Sequence, residues 1–340
     1  MQTVVLLFGG ESSEHDVSVA SALNVDEALD KTKYAVTYGY IDPNGAWWHI
    51  PSVSRTIPDD AAQLLPVLGK RAFAVEGSDL IITPDVILPV LHGRNGEDGS
   101  VQALAQLLHV PIVGCDMTSS AAAMNKYITK EVAAANDINV VPFTVHYAAD
   151  MTPKFSDLSL QLSPILFVKP ANAGSSVGVR KVRTQTELEA ALEEAHRHDE
   201  IALIEKAIDA RELEVAVLGN YPNVEASAVA EIQPDGEFYS YESKYDEDSS
   251  SIVSIPAPIL DDLSTELRHQ AAKVFRILGG SGLSRVDFFV EKGSGTIYLN
   301  EVNTFPGFTN ISVYPKAWEA QGISYAELID RLIVLALEKR

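Results

Sequence analysis

SRVDFFVEKGSGTIYLNEVNTFPG, residues 284–307, reads as two strands joined by a tight connection. Side chains on a strand alternate faces. Arg285 and Asp287 therefore share one face, while Val286, Phe288 and Val290 fill the other. On the returning strand Glu301 and Asn303 share a face, opposite Tyr298, Asn300 and Val302. Gly293 and Gly295 in the connection KGSGT supply the positive φ that such loops need. Pairing symmetric about Ser294 sets Asp287 opposite Glu301. Two carboxylates facing each other across a ladder repel unless a cation lies between them. Asp287, Glu301 and Asn303 are also the hard oxygen donors that Mg²⁺ takes beside phosphate oxygens. The expectation is a metal site that handles a nucleoside triphosphate. The competing reading is a solvated face of an ordinary hairpin.

Working outward, the composition (46% apolar, 21% charged) is that of a globular α/β chain, and 340 residues are enough for two or three domains. A formal charge of −21 argues against nucleic acid or an anionic membrane as partner, and leaves room for a local basic pocket. A single cysteine, Cys115, allows no internal disulfide and reads as a small buried hydrophobe. MQTVVLLFGG is too short an apolar run for a signal peptide and lacks a basic start. No apolar stretch approaches the ~20 residues of a membrane span. A cytoplasmic location is expected.

Residues 4–8 form an apolar run that reads as a buried parallel strand ending at Gly9-Gly10. A helix follows, with a capping-box-like start at Ser13 and Asp16 and an apolar stripe of Val17, Ala20 and Ala28. Strands are expected over 36–41 and 80–90, turns or loops over 43–45 and 51–60, and helices over 101–108 and 121–136. This first third reads as a doubly wound α/β unit. Beyond it, PILFVKP (164–170) reads as a strand, ANAGSSVG as a small-residue loop and VRKV as a further strand, then helix 186–198 and strand 201–208. LEVAVLGN and AVAEIQ are strands. The polar stretch 239–254, containing DEDSSS, is a mobile-loop candidate. Helix 264–278 stops at Gly279-Gly280, and YAELIDRLIVLALEKR closes the chain as a helix.

Gly174-Ser175-Ser176-Val177-Gly178 follows Lys169 by five residues. Glycines let amides and hydroxyls close on phosphate oxygens, and a lysine at a strand end adds a point charge. A tight turn is the alternative reading. Neither G-x-x-x-x-G-K-[ST] nor a G-x-G-x-x-G after the first strand occurs, which excludes a P-loop NTPase and weakens a dinucleotide site.

Seven blocks in order, FGGESSEHDVS, LHGRNGEDGSVQ, FVKPANAGSSVG, LIEKAIDARELEVAVLG, YESKY, LSRVDFF and NEVNTFPGFTNIS, closely resemble the signatures of the D-alanine–D-alanine ligase family of ATP-grasp enzymes. The resemblance runs from Val4 to the last helix. It implies an α/β ATP-grasp fold: an N-terminal doubly wound (Rossmann-like) domain over 1–124, a small central lobe over 125–211 and a larger C-terminal lobe over 212–340. It also implies roles. Lys126 and Lys169 would hold the ATP phosphates, beneath a loop around Ser175, Ser176 and Val177. Glu205, Lys206, Ala207 and Ile208 would grip adenine, and Glu212 the ribose. Asp287, Glu301 and Asn303 would bind two Mg²⁺, with Mn²⁺ a substitute. Glu14 would pair with the ammonium of the first D-alanine beside His92, and Ser312 would hold the carboxylate of the second. Arg285 and the Gly307 N–H would stabilise an oxyanion. Lys244 and Tyr245 would close the site, Tyr245 reaching towards Glu14 and Ser175. A homodimer is implied by resemblance alone.

Three departures stand out: Asn125 before Lys126 where Asp is commoner, the small Ala207, and the acidic DEDSSS. Ligases that make D-alanyl-D-lactate or D-alanyl-D-serine are competitors, opposed by Tyr245. A nucleotide-binding protein without catalysis would be expected to lack some of Arg285, Asp287, Glu301 and Asn303, and all are present.

Overall fold

β1 (Gln2–Gly9) is the organising strand of the computed structural model, which describes residues 1–174, 177–233 and 252–339. It pairs in parallel with β2 (Tyr34–Ile41) and β7 (Val86–Val90). Helices cover both faces. Val4, Leu6 and Phe8 face the core that includes α1 (His15–Ala28), and Val5 and Leu7 face the core that includes α2 (Ser100–Leu108). A strand segment buried on both sides must be apolar, and residues 4–8 of this one are. Beyond β2 the sheet continues as an antiparallel meander, β3 (Trp47–Ile50), β4 (Ala62–Val67), β5 (Ala72–Val75) and β6 (Ile81–Ile82), giving seven strands. These short strands carry too little pattern to stand out. Pro84 separates β6 from β7, splitting the single strand expected over 80–90.

The expected start of α1 is corrected. The helix begins at His15 with Glu14 at the N-cap and no side-chain cap, and its buried stripe is Ser18, Val19, Ser21, Ala22 and Val25. Two serines lie on the buried face, which hides the stripe from an apolar count. The Ser18 hydroxyl accepts from the Gly9 N–H at 2.7 Å, tying the helix to the end of β1. The helix expected over 121–136 is two, α3 (Met117–Met124) and α4 (Lys126–Ala134). Asn125 breaks them in extended conformation, and its Oδ1 accepts from the Ile128 N–H at 3.0 Å. Capping needs only an acceptor oxygen, so Asn serves where Asp is commoner.

A second sheet, all antiparallel, contains β8 (Phe143–Tyr147), β9 (Leu166–Pro170), β10 (Arg180–Val182) and β11 (Ile201–Lys206) in the order β10-β9-β11-β8. α5 (Phe155–Gln161) and α6 (Gln185–Ala195) cover one face, against Leu166, Val168 and Ile204. Phe167 and Lys169 alternate with those residues and so point to the other face. β11 stops at Lys206, two residues short of expectation.

The third sheet holds β12 (Ala210–Asn220), β13 (Asn223–Gln233), β14 (Ile252–Ser254), β15 (Gly282–Glu291) and β16 (Ile297–Asn303), ordered β14-β13-β12-β15-β16. α7 (Asp261–Ile277) packs Leu267, Ala271, Val274 and Phe275 against Val215, Val217, Val286 and Phe288. Residues 252–254 of the polar stretch form β14; residues 234–251 lie outside the described ones. The last helices, α8 (Val313–Glu319) and α9 (Tyr325–Glu338), return to the first sheet, where Trp318, Leu328 and Leu332 share a core with Val4 and Val25. Among the described residues no helix is long and apolar enough to cross a membrane.

The hairpin register is the one expected where it matters. Asp287 pairs with Glu301 and Arg285 with Asn303. Between them and the turn the register shifts by one, because Phe288 pairs with Leu299. Asn300 is the extra residue of a β-bulge. The bulge corrects the face assignment: Ile297 and Leu299 join Val302 in the core, while Tyr298 and Asn300 do not.

Candidate active site

A cleft of about 970 Å³ opens between the second and third sheets. Phe167 on β9 and Phe289 on β15 line it, both half-buried, and give it apolar surface. Lys126, Lys169, Glu205, Arg285, Asp287 and Glu301 supply its polar chemistry.

On the side of the second sheet, Glu205 is the hub. Its Oε2 lies 2.9 Å from Lys169 Nζ and its Oε1 3.0 Å from Lys130 Nζ. Burial works to raise the Glu205 carboxyl, but Lys130 and Lys169 outweigh it and hold it below its ordinary range. Lys169 Nζ also lies 3.4 Å from Asn300 Oδ1, so the bulge presents that amide to the opposite sheet. Lys126, the first residue of α4, donates to the Ala173 carbonyl at 2.6 Å and lies 3.4 Å from Glu301 Oε2. One lysine thus reaches both the backbone leading into the GSSVG loop and the hairpin.

On the other side, Arg285 grips Asp287 with a two-point fork, Nε to Oδ1 and Nη2 to Oδ2, both 2.7 Å. Glu214 Oε2 lies 3.0 Å from Arg285 Nε. Burial alone would lower the guanidinium, but Asp287 and Glu214 hold it well above its ordinary value. Asn303 Nδ2 donates to Asp287 Oδ2 at 2.9 Å. The acids facing each other across the ladder are therefore each matched by a cation, Arg285 or Lys126. Among the described residues no group of three His, Cys, Asp or Glu forms a ready metal cage. Two carboxylates and an amide oxygen on one edge suit a hard cation that completes its shell from water and phosphate.

A second cluster lies at the carboxyl ends of β1 and β7, where ligands bind in open α/β sheets. Gly9 turns the chain there at φ +94°, and a Cβ on it would fall 2.1 Å from the Ile41 carbonyl. Glu14 is buried, and its Oε2 would lie 2.8 Å from a Cβ on Gly93 and 3.9 Å from one on Gly174. The carboxylate therefore sits where the LHG turn and the GSSVG loop meet. His92 is 4% exposed. Its Nδ1 lies 3.2 Å from the Phe305 carbonyl, which can only accept, so Nδ1 carries the proton and Nε2 accepts from Ser21 Oγ at 3.3 Å. Burial lowers the imidazole, with Glu14 opposing, and keeps it neutral. Glu97 accepts from the Gly93 N–H at 2.8 Å. Burial and the Glu14 charge push its carboxyl up to about 8.

Gly307 lies beside Ser312, and a Cβ on it would approach Ser312 Oγ to 3.0 Å. Among the described residues no acceptor takes the Gly307 N–H. Ser312 Oγ is fixed by the Thr309 N–H at 3.0 Å and by Thr309 Oγ1 at 2.8 Å. Ala207 donates its N–H to the Ile165 carbonyl at 3.0 Å, while Lys206, Ile208, Glu212 and Val177 line the cleft. Ser175, Ser176, Lys244 and Tyr245 lie outside the described residues.

Sequence reading missed Lys130, Glu97, Glu214, Phe167 and Phe289. Four of them stand inside the blocks that carry the family resemblance, and Lys130 carried a signal of spacing. It follows Lys126 by four residues on one helix, the spacing that puts two side chains on one face.

Models of known families match most of the chain: the D-ala D-ala ligase N-terminus over residues 3–115 and the D-ala D-ala ligase C-terminus over residues 132–334. A D-alanine–D-alanine ligase of Chlorobium phaeobacteroides (strain BS1) is 44% identical, covering 99% of this chain and 98% of its own. The solved D-alanine-D-alanine ligase from Coxiella burnetii superposes with a TM-score of 0.89 at 34% identity, covering 99% of this chain and 94% of that one. The VanG D-Ala:D-Ser ligase from Enterococcus faecalis superposes almost as well, with a TM-score of 0.88 at 33% identity over 98% of this chain and 99% of its own.

Proposed function

Because the chain belongs to the D-alanine–D-alanine ligase family, an ATP-grasp family that joins two D-alanines for peptidoglycan synthesis, we propose how its own residues divide that reaction. Adenine enters between Phe167 and Phe289. Its polar edge meets the backbone of residues 205–208; the Lys206 and Ala207 N–H groups are committed to the Pro142 and Ile165 carbonyls, which leaves this contact to the Lys206 carbonyl and the Ile208 N–H. Glu212 accepts from the ribose hydroxyls. Lys126 and Lys169 hold the phosphates, covered by Ser175, Ser176 and Val177. Asp287, Glu301 and Asn303 would hold Mg²⁺, two ions in the full site or Mn²⁺ in their place. When bound, the metal neutralises charge on the transferring phosphoryl group.

Glu14 binds the ammonium of the first D-alanine and so aims its carboxylate at the γ-phosphate. An oxygen of that carboxylate attacks phosphorus, ADP leaves and an acyl phosphate forms. The amine of the second D-alanine, held through its carboxylate by Ser312, then attacks the carbonyl carbon and phosphate departs. The tetrahedral oxyanion lies between Arg285 and the Gly307 N–H. Donors fixed in advance at the site of developing charge are the strongest lever an enzyme has on such a step. His92, with both ring nitrogens engaged, acts by tying the LHG turn to the Phe305 backbone. Lys244 and Tyr245 close the site and keep water from the acyl phosphate.

The observation that carries this reading is the convergence on one cleft of Lys126 and Lys169 with the Arg285–Asp287–Glu301 edge. Phosphate release from ATP and Mg²⁺ tests it, with D-alanine, L-alanine, D-serine or D-lactate supplied singly and in pairs. D-Alanine alone should support turnover; no phosphate with D-alanine would overturn the assignment. Residues 1–124, 125–211 and 212–340 are proposed as the three folding units, working as a cytoplasmic homodimer.

A further inference from the structure

Lys130 belongs to none of the roles above, yet it is 0% exposed with its ammonium in the same hub as an ATP lysine. A buried ammonium is costly unless paired. Its partner is Glu205, whose other oxygen is already held by Lys169. One negative charge thus serves two lysines. The Phe143 ring lies 5.6 Å from Lys130 Nζ and offers only a cation–π contact. Burial brings the ammonium down to about 8, with Glu205 opposing, so it remains charged at neutral pH.

We infer that Lys130 is an electrostatic positioning residue for nucleotide phosphate: by sharing Glu205, it leaves Lys169 with a charge that Glu205 would otherwise cancel. The arrangement of the cleft supports this. Lys126 is matched by Glu301, and Arg285 faces both Asp287 and Glu214. Remove Lys130, and every remaining cation of these clusters has a carboxylate of its own. Lys130 does this without touching the ligand, because it lies wholly beneath the cleft surface. The inference rests on the assignment of Lys169 to the ATP phosphates.

Binding of ATP, ADP and adenosine to the full chain, measured by calorimetry for wild type, Lys130→Met and Lys130→Met/Glu205→Gln, tests it. A charge lost across a partly dry site should weaken ATP and ADP by about tenfold or more and leave adenosine unchanged. The double substitution removes the cancelling carboxylate and should restore most of the ATP affinity. It also keeps the test open should the single variant fail to fold. Equal weakening of adenosine and ATP, unchanged ATP binding in Lys130→Met, or a double variant as weak as the single would each overturn the inference. Wild-type protein that binds no ATP would instead overturn the assignment of the cleft.

Discussion

Replacing Gly307 by alanine perturbs the proposed oxyanion site with little else to confuse the result. The new Cβ would stand 3.0 Å from Ser312 Oγ and 3.7 Å from Ser312 Cβ. That hydroxyl cannot simply swing away, since Thr309 holds it through both its N–H and its Oγ1. The clash is therefore relieved by moving residue 307 or the 309–312 turn by a few tenths of an ångström. Stability should change little. The backbone at 307 does not require positive φ, and the entropy lost by the unfolded chain on gaining a methyl offsets part of the strain, about 0.4–1 kcal/mol. Turnover should fall much further. The N–H is kept but displaced from the oxyanion, so the fall should approach, as its upper bound, the loss of one fixed oxyanion donor, about 10²–10³ in kcat, or roughly 2.7–4 kcal/mol. Steady-state ADP release at saturating ATP and D-alanine, with a melting curve on the same samples, measures both quantities. Ser312→Ala should raise KM for D-alanine, and placing it in the Gly307→Ala background should recover part of the lost kcat, because the two changes share one contact. A Gly307→Ala enzyme whose kcat stays within about threefold of wild type would refute the oxyanion role.

Asp287→Ala and Glu301→Ala should each lower kcat by at least about 10²-fold, and raising Mg²⁺ should not rescue them; near-wild-type turnover in either would remove the metal assignment. Tyr245→Phe should raise the use of D-lactate relative to D-alanine as second substrate, scored by product chromatography; an unchanged ratio would count against its part in closure. Glu97 gives a pH prediction. Its folded carboxyl titrates near 8, above the unfolded value, so the folded chain holds a proton that the unfolded chain releases. The stability it contributes is fully present below the unfolded value and is lost as pH rises towards 8. Melting curves for Glu97→Gln should therefore show a flatter decline from pH 5 to 8 than wild type, and parallel curves would refute the shift.

What could be read from sequence follows from how locally each feature is encoded. The ladder pair Asp287–Glu301 needed only the period of two and the position of two turn glycines. The bulge at Asn300 left no such mark, because β-bulges follow from how neighbouring strands pair, and so the faces of Tyr298 and Asn300 came out reversed. Buried serines on α1 concealed its inward face, since hydroxyls with partners, Ser18 with Gly9 and Val90 and Ser21 with His92, bury as readily as methyl groups. The meander from β3 to β6 consists of short strands among loop-like residues and emerges only once β2 offers an edge. In the site, Asp287, Glu301, Asn303 and Lys169 were legible from local pattern, and the other residues seen beforehand came from the family resemblance. Lys130 and Glu214 act through partners distant in the chain, the two phenylalanines line the cleft from different sheets, and the raised carboxyl of Glu97 depends on its burial and on Glu14. Asn125, which departs from the commoner Asp, is a helix cap.

The central claim is that a D-alanine carboxylate becomes an acyl phosphate before the peptide bond forms. D-Alanine labelled with ¹⁸O in its carboxylate, turned over with unlabelled ATP, tests this directly by mass spectrometry of the released phosphate. Phosphate carrying one ¹⁸O atom per turnover is the predicted result. Unlabelled phosphate accompanying D-alanyl-D-alanine would mean that the carboxylate is never phosphorylated, and would contradict the account.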